Sequence, residues 1–393
     1  MRKPDIDLDY LSQTLLELLA IPSPVGLTDE VVHYTCRRLS ELDVPFELTR
    51  RGAIRATLKG REPAPARALA AHLDTLGAVV RRLKDNGRLA LLPLGTWSSR
   101  FAEGARVTLF TDRGAVRGNV LPLMASGHAF DTEVDSQPVS WDHVELRIDA
   151  PADCREDLIR LGVHVGDYVA FDPHPEINDN GYINARYLDD KAGVATLLAA
   201  IKALRDQNIT LPVDCYPLFT ISEEVGSGAS AIIPEAISEM VGIDIAIPAQ
   251  GQNSRERGVT IPLKDSHGPF DYHLSRKLIA LCQDYGLEHQ RDVFRYYYSD
   301  SASALNAGHD IRPALICFGA DASHGYERTH ISALQGVAEL IALYAQSPPT
   351  YARDLRTLGP IEGFPHQIDH DNLQQPPKQL PNPPDFLDPW DSC

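Results

Sequence analysis

The segment LFTISEEVGSG, residues 218–228, brings an apolar, β-prone run to a stop at two adjacent carboxylates, Glu223 and Glu224, then turns through Gly226 and Gly228. Successive side chains on a strand point to opposite faces. A carboxylate pair at a strand end can therefore divide two tasks, cation binding and proton transfer. Taken alone, the pair reads equally as a solvated strand end. The stretch ALAAHLDTLG puts His72 and Asp74 two residues apart, on one face of an extended chain. There one side chain can take a metal while the other orients it. Farther on, NARYLDDKAGVATLL places Asp189 and Asp190 at a loop-to-helix junction. That position suits a capping pair and also a carboxylate bridging two cations. Late in the chain, ADASHGYERTH adds His324, Glu327 and His330. The order His-x-Asp, Asp-Asp, Glu-Glu, His puts each group at an expected strand end or helix start, where open α/β sheets build their sites.

The elements that must position these groups follow from periodicity. Apolar residues at helical spacing over residues 9–20 predict a helix, and a second is expected from Thr28, as its cap, to Leu42. Short strands are expected at 53–58 and 68–72. From Gly77 to Asp179 the texture becomes Gly-punctuated and strand-rich, as in ARVTLFTDRGAVRGNVLPL, HVELRID and GDYVAFD. From Tyr182 strands and helices alternate again, with AGVATLLAAIKAL, CYPLFTIS, IDIAI, FDYHLSRKLIALCQDYG, RPALICFG and SALQGVAELIALYAQ. Such alternation argues for a mixed or parallel sheet covered by helices. Residues 1–76 with 180–347 form one α/β domain in this reading, and 77–179 is a β insertion. The Pro-rich stretch 348–393 is expected to be an extended or disordered arm.

Composition narrows the function. A chain of 393 residues, 43% apolar, is that of a globular protein with room for two domains. A net charge of −17 with no basic cluster argues against nucleic acid and against anionic lipid. No apolar run is long enough to span a bilayer, and the opening MRKPDIDLDYLSQ lacks a secretory apolar core, so a cytoplasmic location is expected. The six scattered cysteines form no CxxC and read as reduced thiols.

The motifs AHLDTLG, YLDDKAG and SEEVGSGA, in this order and with the inserted β module, resemble the tetrahedral aminopeptidases and their glutamyl and deblocking relatives over residues 9–346. The resemblance implies an α/β fold: a three-layer mixed-sheet metallopeptidase domain with an inserted small β-barrel-like oligomerisation domain. It also implies one or two divalent cations per subunit, for which His and carboxylate ligands suit zinc, cobalt or manganese. Carried over to this chain, His72 holds one metal, Asp189 bridges, and Glu224 and His324 hold the second. Glu223 is then the general base and Asp74 orients His72, with a cis peptide expected after Asp189. The implied substrate is a small peptide cut at its N-terminal bond, and the implied assembly is a homo-oligomer, a dodecamer in the family. The family's remaining aspartate ligand is expected near Pro248–Gln250, where no carboxylate stands, and Asp244 lies earlier in the strand. Gln250 is taken as the weak replacement, with the more distant Glu256 as another. Glu327 and His330 are open between contacts to the site and solvated surface. GQNSRERGVTI and GPFDYHLSRKL further resemble a subgroup tied to the osmoprotectant N-acetylglutaminylglutamine amide. Deacylation of a small acylated dipeptide, or a scaffold whose site has decayed, are therefore the alternatives.

Overall fold

The computed structural model describes residues 1–367. Its centre is an eight-stranded mixed sheet. In chain order the strands are β1 (Phe46–Leu48), β2 (Ile54–Ala56), β3 (Gly60–His72), then β12 (Leu211–Thr220), β13 (Ile237–Ala246), β14 (Val259–Pro262), β15 (His289–Asp292) and β16 (Arg312–Gly319). Between them lie β4 (Gly77–Leu83), β5 (Leu89–Leu94), β6 (Arg106–Thr111), β7 (Gly114–Pro122), β8 (Val144–Ile148) and β9 (Tyr168–Phe171). The short strands β10 (Glu176–Ile177) and β11 (Tyr182–Ala185) pair with β17 (Glu327–His330). The main sheet runs in the order β1-β2-β12-β3-β13-β16-β14-β15. The neighbours of β3, and the β13–β16 pair, are parallel. Parallel pairing puts the carboxyl ends of β3, β12, β13 and β16 along one edge, and every site residue named below lies on or just beyond that edge or packs against it.

Helices cover this sheet. Helix α1 (Leu8–Leu19) starts at Asp7, whose carboxylate accepts the Tyr10 N–H at 2.9 Å, and buries Leu11, Leu15 and Leu18 at helical spacing. Helix α2 (Asp29–Glu41) begins after Thr28 as its spacing predicts, although the Thr28 side chain makes no capping bond. Short helices α3 (Gly127–Phe130), α4 (Glu133–Ser136) and α5 (Arg155–Arg160) belong to the inserted module. Helix α6 (Leu188–Asp206) is buried on all sides over most of its length, consistent with its Ala- and Leu-rich sequence. Helices α7 (Tyr272–Asp284), α8 (Asp300–Asn306) and α9 (Ile331–Gln346) complete the layers.

Strands β4 to β9 close into a six-stranded barrel, sealed where Ala78 of β4 pairs with Val169 of β9. The barrel carries its own apolar core, including Val80, Leu91, Val107, Leu109, Val120 and Leu146. After α9, Asp354 is clamped by Arg312 at 2.6 Å, so the first part of the C-terminal arm lies against the sheet rather than free of it. Pro376, Pro377, Pro381, Pro383, Pro384 and Pro389 lie outside the described residues, as does Cys393. The five described cysteines are all free thiols. Among the described residues no helix is long and apolar enough to cross a membrane.

Candidate metal centre

His72 ends β3 and pairs with Thr220, the last residue of β12. Its Nδ1 lies 2.9 Å from the backbone oxygen of Asp74. A carbonyl only accepts, so Nδ1 carries the proton, fixing the ring and leaving Nε2 to face the site. That Nε2 is 3.1 Å from Oδ1 of Asp189. The other oxygen of Asp189, Oδ2, is 3.5 Å from Nε2 of His324. One carboxylate thus faces two imidazoles with one oxygen each. His324 Nε2 is also 3.7 Å from Oε2 of Glu224, and Glu223 Oε2 is 3.9 Å from Nε2 of His72. The His324 ring is fixed from outside the α/β domain, since its Nδ1 meets the backbone oxygen of Thr96, just past β5 of the barrel, at 2.8 Å.

Local sequence explains these placements. Glu223 and Glu224 sit in a 3-10 turn following Ser222, so the two side chains diverge through a turn rather than by strand alternation. Asp74 holds that turn: its fully buried carboxylate accepts the N–H of Glu223 at 3.1 Å and of Glu224 at 3.2 Å. Its Oδ1 stays 3.7 Å from His72, so Asp74 orients the imidazole through its backbone carbonyl and the glutamate pair through its side chain. Gly226, at φ +77°, lets the chain leave the turn. A Cβ at Gly228 would stand 1.8 Å from Oδ1 of the buried Asp300, which leaves no room for another side chain. The Asp189–Asp190 peptide is cis, and both residues depart from helical geometry, so the regular part of α6 begins at Lys191. The second carboxylate, Asp190, accepts the His72 N–H at 3.2 Å.

The structure does not bring Gln250 to this centre. Gln250 is exposed and lines a neighbouring cavity of about 660 Å³ with Lys264 and Arg295. Glu256 is engaged elsewhere, receiving Arg328 at 2.6 and 2.8 Å. The carboxylate from β13 that does reach the cavity at this centre is Asp244. This residue lies inside β13, two residues past Gly242, which pairs with Ala70 of β3, and so comes level with His72. With Asp189, Glu223, Glu224 and His324 it lines a cavity of about 380 Å³. His330 is remote: it caps α9 through Ser332 and packs edge-on against Tyr182. Glu327, by contrast, is a positioning group. It is buried, and its two oxygens accept the backbone N–H of Asp189 at 3.1 Å and of His324 at 3.2 Å. Tyr296, Tyr297 and Tyr298, from the YYY run before α8, also wall the cavity; nothing in their spacing announces it.

The electrostatics are those of crowded, buried acids. Burial, then the nearby Asp189 charge, raises Glu224 and Asp244 to about 8. Burial likewise pushes Glu223 well above the usual carboxylate range, and the Asp244 charge adds to it. Burial would raise Asp189 too, but its hydrogen bonds to His324 and His72 prevail and hold it far below that range. Burial opposes the charged form of His324, yet Asp189 and Glu224 carry it up to about 10. Oε1 of Glu224 is buried with no hydrogen-bond partner among the described residues. His72, Asp189 and Glu224 offer ligand atoms all within 4.8 Å of one another. Imidazole and carboxylate donors around an orphaned acid oxygen fit a divalent cation, so the residues present suit the implied group.

Comparison with known proteins agrees with this architecture. The family model for M42 glutamyl aminopeptidase matches residues 52–340. The Bacillus subtilis (strain 168) protein named "Putative aminopeptidase YhfE" is 38% identical over 337 residues, covering 86% of this chain and 97% of its own. The lysyl aminopeptidase of Pyrococcus furiosus is 25% identical over 61% of this chain and 65% of its own. Among solved structures, the TET aminopeptidase of Thaumarchaeota archaeon SCGC AB-539-E09 superposes with a TM-score of 0.79 at 18% identity, over 88% of this chain and 98% of its own. The Pyrococcus horikoshii TET1 peptidase gives 0.76 at 22%, over 85% and 99%; these two likenesses concern the fold. The sheet with its inserted barrel, the family match across the site and the full-length similarity to the Bacillus protein together make this chain a member of the M42 glutamyl aminopeptidase family and a peptide hydrolase.

Proposed function

We propose that the protein is a metal-dependent aminopeptidase that removes the N-terminal residue of small peptides with water, using a cation pair centred on Asp189. The observation that carries this reading is the placing of the two Asp189 oxygens 3.1 Å from His72 and 3.5 Å from His324. Asp244 would complete the ligands on the His72 side, and Glu224 those on the His324 side. Divalent cations bound there would supply Lewis acidity toward the scissile carbonyl and the attacking water. Glu223 is the base. Its buried position raises its affinity for a proton, which suits it to take one from water and return it to the leaving amine. Asp74 and Glu327 hold the ligand-bearing backbone. Asp244 also weighs against a decayed scaffold, since the carboxylate absent near Gln250 has a counterpart in the same cavity.

The relatives' names include lysyl and glutamyl aminopeptidases, so we assign the N-terminal peptide bond and not a side chain. The Pyrococcus horikoshii TET1 peptidase is described as assembling into a tetrahedron or an octahedral shell, and a closed homo-oligomer joined through the barrel is proposed here by analogy. Glu223→Gln tests the mechanism: it keeps the shape but cannot accept the proton. Turnover should fall by about two to four orders of magnitude while metal content stays at the wild-type level. Loss of metal instead would make Glu223 a ligand, and retained turnover would remove it as the base.

A further inference from the structure

Tyr297 lies between β15 and α8, with its ring centroid 5.1 Å from that of Phe294, beside a small apolar cluster that contains Ala246, Leu315 and Cys317. Its backbone is fixed as well, since its carbonyl accepts the Ser266 N–H at 2.9 Å. The neighbours on either side turn outward: Tyr296 is 84% and Tyr298 45% exposed. Tyr297, in the middle of the run, is the least exposed of the three, and the Tyr298 hydroxyl lies beside Gly226. The Tyr297 hydroxyl is buried and meets no described residue at full hydrogen-bond geometry, although it stands near enough to Asp244 and Cys317 for a loose hydrogen bond to each to favour their ionised forms. Asp244 pairs with Cys317 across the β13–β16 register, Tyr297 packs on the cluster that contains Cys317, and Asp244 and Tyr297 line one cavity, so the phenol stands beside both the carboxylate and the thiol. A thiol is a weak acceptor, whereas an ionised carboxylate is acceptor-only with several lone-pair sites. Leaving a buried hydroxyl unmatched costs about 1–3 kcal/mol, so a phenol aimed at a carboxylate without a closed bond points to a state in which the bond closes. Oδ1 of Asp244 already receives the N–H of Ile245 at 2.7 Å, which holds one side of that carboxylate and leaves its orientation to the groups in front of it.

The geometry points to Tyr297 as a positioning residue for Asp244: its phenol donates to the Asp244 carboxylate once a cation engages that carboxylate, and so tightens cation binding on the His72 side of the site. This rests on the reading of Asp244 as a ligand. Hydrogen bonds of this kind to ligating carboxylates are typically worth about 10- to 100-fold in metal affinity.

The test is a cobalt titration against a competing chelator on the full chain, using wild type, Tyr297→Phe, Asp244→Asn and the double variant. The phenylalanine keeps the ring contact with Phe294, and the unfolding midpoint without cation checks that the fold is intact. Tyr297→Phe should weaken one of the two cobalt sites about 10- to 100-fold and leave the other unchanged. In the Asp244→Asn background, Tyr297→Phe should have no further effect, because the group it acts through is gone. Unchanged affinity in Tyr297→Phe, or an equal loss in both backgrounds, overturns the inference while leaving the peptidase reading intact. Wild-type cobalt affinity in Asp244→Asn overturns Asp244 as a ligand and the inference with it. A wild-type chain that binds no cobalt overturns the metal-dependent reading beneath both.

Discussion

Glu327→Gln is the most informative single change outside the proposed ligands. The carboxylate spends both oxygens on backbone N–H groups, those of Asp189 at 3.1 Å and His324 at 3.2 Å. Among the described residues it therefore fixes the backbone of Asp189, the proposed bridging acid, together with that of His324. His324 sits at φ +65°, a conformation that non-glycine residues adopt only when their surroundings hold them there. Glutamine keeps the size but replaces one acceptor with an amide donor, leaving one of the two N–H groups unmatched. A buried unmade bond costs about 1–3 kcal/mol. At roughly 2–4 °C per kcal/mol for chains of about 150–250 residues, and less for longer ones, the unfolding midpoint should fall by only a few degrees. Cation affinity should suffer more, by about 10- to 100-fold, because two proposed ligands lose a shared support. Calorimetric cation titration and thermal unfolding on the same sample separate the effects. Cation affinity within twofold of wild type, in a variant that folds, would refute the claim that Glu327 sets the geometry of the site.

Three further outcomes are expected. Asp244→Asn should weaken one cation site strongly, whereas Gln250→Asp should leave cation affinity unchanged because residue 250 faces a separate cavity; a tighter site in Gln250→Asp would reverse that assignment. Glu224 and Asp244 are raised to about 8 from ordinary values of 4.5 and 3.8, so between those limits the metal-free fold binds more protons than the unfolded chain. Its stability should therefore fall as pH rises through that window, and saturating cation should remove the decline; unfolding midpoints that rise with pH in chelator would contradict the sign. Light scattering on the full chain should report a closed homo-oligomer, and a monomer at micromolar concentration would defeat the proposed assembly.

The sequence reading reached those parts of the structure that are local. Helical spacing in residues 9–20 and the start of α2 after Thr28 are written within a few residues of one another, whereas the Asp7 cap of α1 is not among the expected caps and Thr28 makes no side-chain capping bond. His72, Asp189, Glu223, Glu224 and His324 each sit in a short motif at an element end, and the structure gathers them within a few ångströms. Asp244, proposed here as a ligand, has no local signal. In GIDIAIPAQ it reads as an isolated acid inside an apolar strand, and only the parallel register of β13 against β3 brings it level with His72. The expected strand end falls at Gln250, but the chain leaves the sheet at Ala246 and carries the next residues outward. Barrel closure through Ala78 and Val169 joins residues far apart in sequence, so the residues alone announce the strands, while the barrel-like closure is expected only from the family resemblance. Glu327 and Tyr297 act through partners that no spacing rule connects to them.

The central claim is tested most directly by following release of the N-terminal residue from an unblocked short peptide and from its N-acetylated twin, with chelated protein and after cobalt or zinc is restored. The account predicts stepwise release from the free peptide only, abolished by chelator and recovered on adding cation. Turnover that persists in chelator with no bound metal would contradict it, as would hydrolysis confined to the acetylated peptide.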